Sequence, residues 1–234
     1  MEAFAIKGHT MNTADRAWLV RQQVSGMAAF GGIVLNRAVG GINPDAVAWM
    51  VRMQGRLGRL VWFPTFDASH HVRHFQGEIG GIEVVDDRGE ILPAVRQVLD
   101  ICAREHLLVC TGHLSPEEAL VLVAAAREAG CDRISVTHAA LEVPGLTLAQ
   151  MQQAAQMGAK IEIAAVGLLM GVDAHLDWMR SWRRVTAADY TAQIRAIGAE
   201  HFHLSTDLGQ AGNPTPPDGY ELLVQSLMAE GITA

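Results

Sequence analysis

The chain has 234 residues, of which 50% are hydrophobic and 18% charged, with a net charge of −7. That length and composition suit one globular domain with a substantial core and exclude a disordered segment. The charge argues against nucleic acid as a main partner, because a phosphate footprint needs clustered Lys and Arg. The one short basic cluster, Arg180-Ser181-Trp182-Arg183-Arg184, reads as a solvated face. Apolar stretches are interrupted well before about 18 residues, so no membrane span is expected. No signal segment opens the chain, which points to the cytoplasm. Cys102, Cys110 and Cys131 have no metal-finger spacing and sit in apolar surroundings, so reduced core thiols are expected.

Seven apolar runs read as strands, and helix-like segments alternate with them. Ala3–Lys7 is followed by a helix at Asn12–Gln23, then by the strand Ala29–Leu35. Asn43-Pro44-Asp45 opens a helix to about Arg56, with Pro near its favoured first position. After the strand Leu60–Pro64 comes an insertion near 77–92, where Ile82–Leu92 reads as a β-hairpin around an Asp/Gly turn. The strand Leu107–Thr111 precedes Ser115-Pro116-Glu117-Glu118, which combines an N-cap Ser, Pro at N1 and Glu at N3. That helix ends at Ala129-Gly130. Then follow the strand Arg133–Thr137, the helix Thr147–Met157 and the strand Lys160–Ala164. Gly167–Arg184 reads as a long loop or lid. The helix Thr186–Ile197, the strand His201–Thr206 and the helix Pro217–Ala229 complete the series.

Strand ends recur about every 26–29 residues, one βα unit per step, with two longer steps that hold the insertions. The strands are nearly continuous apolar runs, as in parallel sheets covered on both faces. A doubly wound open sheet would gather its ligand groups at one switch point. Here polar strand ends occur all along the chain. The pattern predicts an α/β fold, a (β/α)8 TIM-like barrel lacking its first βα unit, as a single domain over 1–234.

In a parallel barrel the residues just past the strand C-termini converge on one face. His9, His113 and His138 follow three of these strands, and Asp207 follows the last. Neutral imidazole nitrogen and carboxylate oxygen suit a divalent ion such as zinc. Lys7 is placed to hold a substrate carboxylate or phosphate, or a bridging group; the alternative is a salt bridge to Glu162, an inward strand residue that is, like His9, itself a substrate-binding candidate. Asn36 and Thr65 end the next two strands, where they either hydrogen-bond substrate or cap the backbone. His70, His71 and His74 follow in a loop, from which His70 is best placed to lean over the site. Gln210, in a flexible polar segment, is a substrate-facing candidate.

These strand ends resemble the amidohydrolase superfamily of metal-dependent hydrolases, and more closely an uncharacterised amidohydrolase-like bacterial family. The resemblance rests on Ile6-Lys7-Gly8-His9, Gly31-Gly32-Ile33-Val34-Leu35-Asn36, Gly40-Gly41-Ile42-Asn43-Pro44, Val61-Trp62-Phe63-Pro64-Thr65, Thr111-Gly112-His113-Leu114-Ser115, Thr137-His138 and Ser205-Thr206-Asp207-Leu208-Gly209-Gln210. In such barrels a His-x-His on the first strand, His on the fifth and sixth, and Asp on the eighth hold the metal. The resemblance therefore implies His113, His138 and Asp207 as ligands. The His-x-His has no counterpart here, since His201 and His203 lie on the strand that carries Asp207. Met1 then reads as an internal methionine, and the chain as incomplete at both ends.

The expected function is metal-dependent hydrolysis of a small C–N or C–O bond in a cyclic amide, lactone or ester. Asp207 would accept the proton of the attacking water and pass it to the leaving group. The substrate is a small molecule, and the protein is expected to be a homo-oligomer that covers its unpaired sheet edges. The alternative is a non-catalytic or truncated barrel serving as a binding scaffold.

Overall fold

The computed structural model describes residues 3–77 and 80–233. Met1, read above as an internal start, lies outside them, as do Glu78 and Ile79 of the insertion. The chain divides into two compact units, Met1–Ser135 and Val136–Ala234.

In the first unit the order is β1 (Ala3–Ile6), α1 (Ala14–Gln23), β2 (Ala28–Val34), α2 (Pro44–Met50), β3 (Gly58–Trp62), α3 (Ser69–Gln76), α4 (Pro93–Arg104), β4 (Leu108–Cys110), α5 (Pro116–Glu128) and the start of β5 (Ile134–Val136). Neighbouring strands pair in parallel, β1 with β2, β2 with β3, β3 with β4 and β4 with β5. This is the parallel α/β class that the apolar runs predict. Ile33, Val34, Val61, Trp62, Val109 and Cys110, consecutive pairs that point to opposite faces, are all buried, so the strands need no polar alternation.

Thr13 joins the first two strands. Its hydroxyl donates to the Ile6 carbonyl at 2.6 Å and accepts from the Gly32 N–H at 2.9 Å. Any side chain on Gly31 would run into the Thr13 backbone, which explains the glycine there. Downstream, α5 carries the expected capping box. Ser115 Oγ accepts from the Glu118 N–H at 3.2 Å, and the Glu118 carboxylate accepts from the Ser115 N–H at 2.8 Å.

Three expectations for this unit differ from the structure, the first being the helix expected to run to about Arg56, which ends at Met50. The segment holding His70, His71 and His74 is the helix α3, which ends at Gly77 in a left-handed conformation (φ 66°). It buries Ser69, His71 and Val72. The hairpin over 82–92 is reduced to one antiparallel bridge, between Val85 and Ile91. There the Asp86 carboxylate accepts from the N–H groups of Arg88 and Glu90, which curls the chain tightly. Pro93 then opens α4 before a longer ladder can form.

The second unit contains α6 (Leu148–Gln156), β6 (Lys160–Ala164), α7 (Asp177–Arg180), α8 (Ala187–Ile197), β7 (Phe202–Ser205) and α9 (Pro216–Ala229). β6 and β7 pair in parallel from Ile161–Phe202 to Ala164–Ser205. The expected loop 167–184 contains α7 and begins within a 3-10 turn at Ala165–Leu169. Capping boxes at Thr147/Gln150 and Thr186/Asp189 start α6 and α8. No helix among the described residues is long and apolar enough to cross a membrane. The three cysteines are buried thiols outside any disulfide, and burial pushes the Cys131 thiol up to about 11.

Candidate functional site

In Met1–Ser135 the segments after β1 to β4 carry one connected set of polar side chains. Asn36 and Thr65 are buried and bonded to each other twice. The Thr65 N–H donates to Asn36 Oδ1 at 2.8 Å, and Asn36 Nδ2 donates to Thr65 Oγ1 at 2.9 Å. Asn36 Nδ2 also reaches the His9 carbonyl at 3.2 Å. Thr65 Oγ1 in turn lies 2.9 Å from His9 Nδ1. Of the substrate-binding candidates, His9, Asn36 and Thr65 are thus one group. The Lys7 ammonium lies 5.7 Å from the centre of the Trp62 ring.

His113 is placed by its neighbour. Gly112 adopts a left-handed backbone (φ 67°), and a side chain there would collide with the carbonyls of Phe63 and Pro64. The His113 N–H then donates to the Pro64 carbonyl at 2.9 Å. Its ring turns to His71, with Nδ1 2.9 Å from His71 Nδ1. The Phe66 ring spans the cluster, with its centre 4.4 Å from that of His9, 5.3 Å from His71 and 5.5 Å from His113. The sequence placed His71 in a cluster with His70 and His74 but favoured His70, and Phe66 was not singled out. The available signal was the four-residue spacing of His71 and Phe75, whose rings stack 4.8 Å apart on α3. His70, the favoured histidine of that segment, is half-buried one position earlier, with its ring 6.5 Å from that of His74.

In Val136–Ala234 the structure brings together His138, Glu162, Asp207 and Gln210. His138 and Asp207 follow strand ends with positive φ, 28° and 49°. Side chains other than glycine rarely adopt that region, and it costs of order 1–3 kcal/mol at each position. Each backbone is held by a side chain. Glu162 Oε2 accepts from the His138 N–H at 2.8 Å, and Gln210 Nε2 donates to the Asp207 carbonyl at 2.9 Å. Asn213 Nδ2 completes the loop by donating to Gln210 Oε1 at 2.8 Å. The result places His138 Nε2 at 4.0 Å from Asp207 Oδ2, with His138 buried and Asp207 24% exposed.

That separation is too long for a hydrogen bond. It is about twice the 2.0–2.2 Å at which a zinc-like ion holds nitrogen or oxygen. One imidazole nitrogen and one carboxylate oxygen fit a divalent ion in donor type, and a tetrahedral ion would draw them closer, to about 3.4 Å. Among the described residues no set of three His, Cys, Asp or Glu side chains is grouped closely enough to hold one. Nearby, Tyr190 donates to the Ala164 carbonyl at 2.9 Å. Burial, followed by the Glu162 charge, pushes its phenol well above the usual range.

Residues 1–162 match a family of unknown function, DUF6282. None of the curated proteins compared matches the sequence. Among solved structures, an amidohydrolase from Pseudomonas aeruginosa aligns with a TM-score of 0.58 at 11% identity, over 99% of this chain and 73% of its own. A double mutant of the organophosphorus hydrolase from Deinococcus radiodurans gives 0.55 at 16% identity, over 92% of this chain and 68% of its own. A structure from the engineering of organophosphate hydrolysis activity on a weak promiscuous lactonase template gives 0.54 at 15% identity, over 92% and 70%. At these identities the likeness is one of fold.

Proposed function

The chain belongs to the DUF6282 family, and we propose that it is a hydrolase of a small C–N or C–O bond, in a cyclic amide, lactone or ester, working with a divalent ion, zinc by preference. The observation that carries this reading is the pair His138 and Asp207, facing each other at 4.0 Å on two backbones that both bear positive φ. Strain of this kind persists only where the surroundings hold it, and it clusters at functional sites. The fold likeness to an amidohydrolase and to a lactonase template supports the same class of reaction, and supports reading the fold as the barrel less its first βα unit.

In this mechanism the residues that would hold the ion are His138 and Asp207. A bound divalent ion would supply Lewis acidity to water and to the scissile carbonyl. Asp207 has a second carboxylate oxygen, and at 24% exposure it is within reach of solvent. It accepts the proton of the attacking water and returns it to the leaving nitrogen or oxygen. Glu162 and Gln210 keep both side chains aimed by holding their backbones. Within Met1–Ser135, Lys7 is proposed as a cation for a carboxylate or phosphate group and His9 as a hydrogen-bonding group.

The test is metal content. Protein loaded with zinc and dialysed is expected to retain metal by elemental analysis, and the variants His138→Ala and Asp207→Ala to lose most of it. The same measurement on His113→Ala tests the third ligand expected from the sequence. Equal metal in wild type and in both His138→Ala and Asp207→Ala would overturn the reading.

A further inference from the structure

The protonation state of His9 follows from hydrogen-bond accounting around Thr65. A backbone N–H only donates, and that of Thr65 points at the Asn36 side chain at 2.8 Å, so the atom it meets is the amide oxygen. The other arm of the amide, Nδ2, is therefore what faces Thr65 Oγ1 at 2.9 Å. An amide nitrogen has no lone pair to offer, so the hydroxyl accepts this bond. Its single hydrogen is left for its other partner, His9 Nδ1, at 2.9 Å. Were Nδ1 to carry a proton and donate instead, the hydroxyl hydrogen would have no acceptor. Thr65 is 0% exposed, so bulk solvent does not reach its hydroxyl.

We infer that Asn36 and Thr65 form a relay that holds His9 as the neutral tautomer with its proton on Nε2, which makes His9 a hydrogen-bond donor and not a general base. Each link passes a direction to the next: backbone N–H to Asn36, Asn36 to Thr65, Thr65 to His9. The Nδ1 lone pair is occupied by the hydroxyl and cannot take a proton from water. Nε2 then carries the N–H, a group that pairs with a carbonyl, carboxylate or phosphoryl oxygen. The chemical class of ligand served is thus an oxygen acceptor, and assigning that ligand as the substrate rests on the proposed hydrolase function. Thr65 is the positioning residue, and the Phe66 ring, tilted 32° to the imidazole at 4.4 Å, packs against the face of His9.

Histidine-selective 15N labelling and long-range proton–nitrogen correlation read the tautomer directly, in the full chain without added metal. The His9 signals are assigned by their disappearance in His9→Gln. The expected spectrum has His9 Nδ1 at the shift of an unprotonated ring nitrogen and Nε2 at that of a protonated one. Thr65→Val should release the preference and draw the two shifts together, and Thr65→Ser, which restores the hydroxyl, should bring the pattern back. A merely structural Thr65 would not give that rescue. Protonated Nδ1 in wild type, or an unchanged tautomer in Thr65→Val, would overturn the inference, and the wild-type spectrum decides even if the valine variant does not fold. Failure of the hydrolase reading shows separately, as metal content unchanged in His138→Ala and Asp207→Ala.

Discussion

His71 and His113 meet through their Nδ1 atoms at 2.9 Å, although 42 residues separate them in the chain. Both rings are almost wholly buried, at 7% and 3% exposure. At this distance one Nδ1 donates and the other accepts, so the pair holds a single proton between its two facing nitrogens. Replacing His71 by Leu withdraws that bond from the buried His113 ring. The expected loss is about 1–3 kcal/mol in urea unfolding. A double-mutant cycle with His113→Leu should show a coupling of roughly 0.5–3 kcal/mol. Additive losses would mean that the two rings merely pack.

A second prediction concerns the clamps on the strained pair. If Glu162 and Gln210 aim His138 and Asp207, removing either should weaken metal binding about 10–100-fold without removing a ligand. Glu162→Ala and Gln210→Ala are compared with wild type by titration with cobalt, followed by its absorption. Glu162→Gln keeps an acceptor oxygen for the His138 N–H and should retain most of the affinity. Gln210→Glu loses the donor to the Asp207 carbonyl and should not.

Alkaline pH gives a third. The folded-state pKa of Tyr190 is raised by burial and then by Glu162, so its contribution to stability is fully present below the unfolded value of about 10. It is lost as pH rises through the folded value. Urea midpoints should therefore fall above about pH 10. Tyr190→Phe should be less stable at pH 8 by about 0.5–1.5 kcal/mol, through its lost bond to Ala164, and should show a shallower decline. Parallel declines in the two proteins would remove Tyr190 as the cause.

Much of this architecture is written locally. Runs such as Ile33-Val34 and Leu60-Val61-Trp62 announce buried parallel strands, and Ser115, Pro116 and Glu118 announce the start of α5, because each signal lies within a few residues. The pairing of His138 with Asp207 was foreseeable from strand polarity alone. The relay was not, because Asn36 and Thr65 are 29 residues apart and their mutual bonds depend on strand register. α3 was concealed by its composition. Three histidines in a short polar stretch look like a solvated loop, whereas His71 packs one face of the helix against Phe66 and His113. The expected hairpin failed for a competing local reason, the Asp86 turn followed at once by Pro93.

Self-association is a fourth expectation. Within Met1–Ser135, β1 is paired along one side, with β2, and its residues Ala3 and Ala5 are exposed. An edge of apolar residues with open backbone groups invites another strand. Light scattering should give a mass above the 25.2 kDa of one chain. A monodisperse monomer would refute this.

Gly112 sets a limit on how this protein can be re-engineered. Its left-handed backbone and the carbonyls of Phe63 and Pro64 leave room for no other residue, so a randomised library selected for folding should return glycine alone at that position. The approach of His113 to its neighbours is consequently not adjustable through the backbone that carries it. Variation has to arrive from across the cluster, at Phe66, a ring 44% exposed that touches His9, His71 and His113 together. For an evolving lineage, Phe66 is the dial and Gly112 the fixed bearing on which it turns.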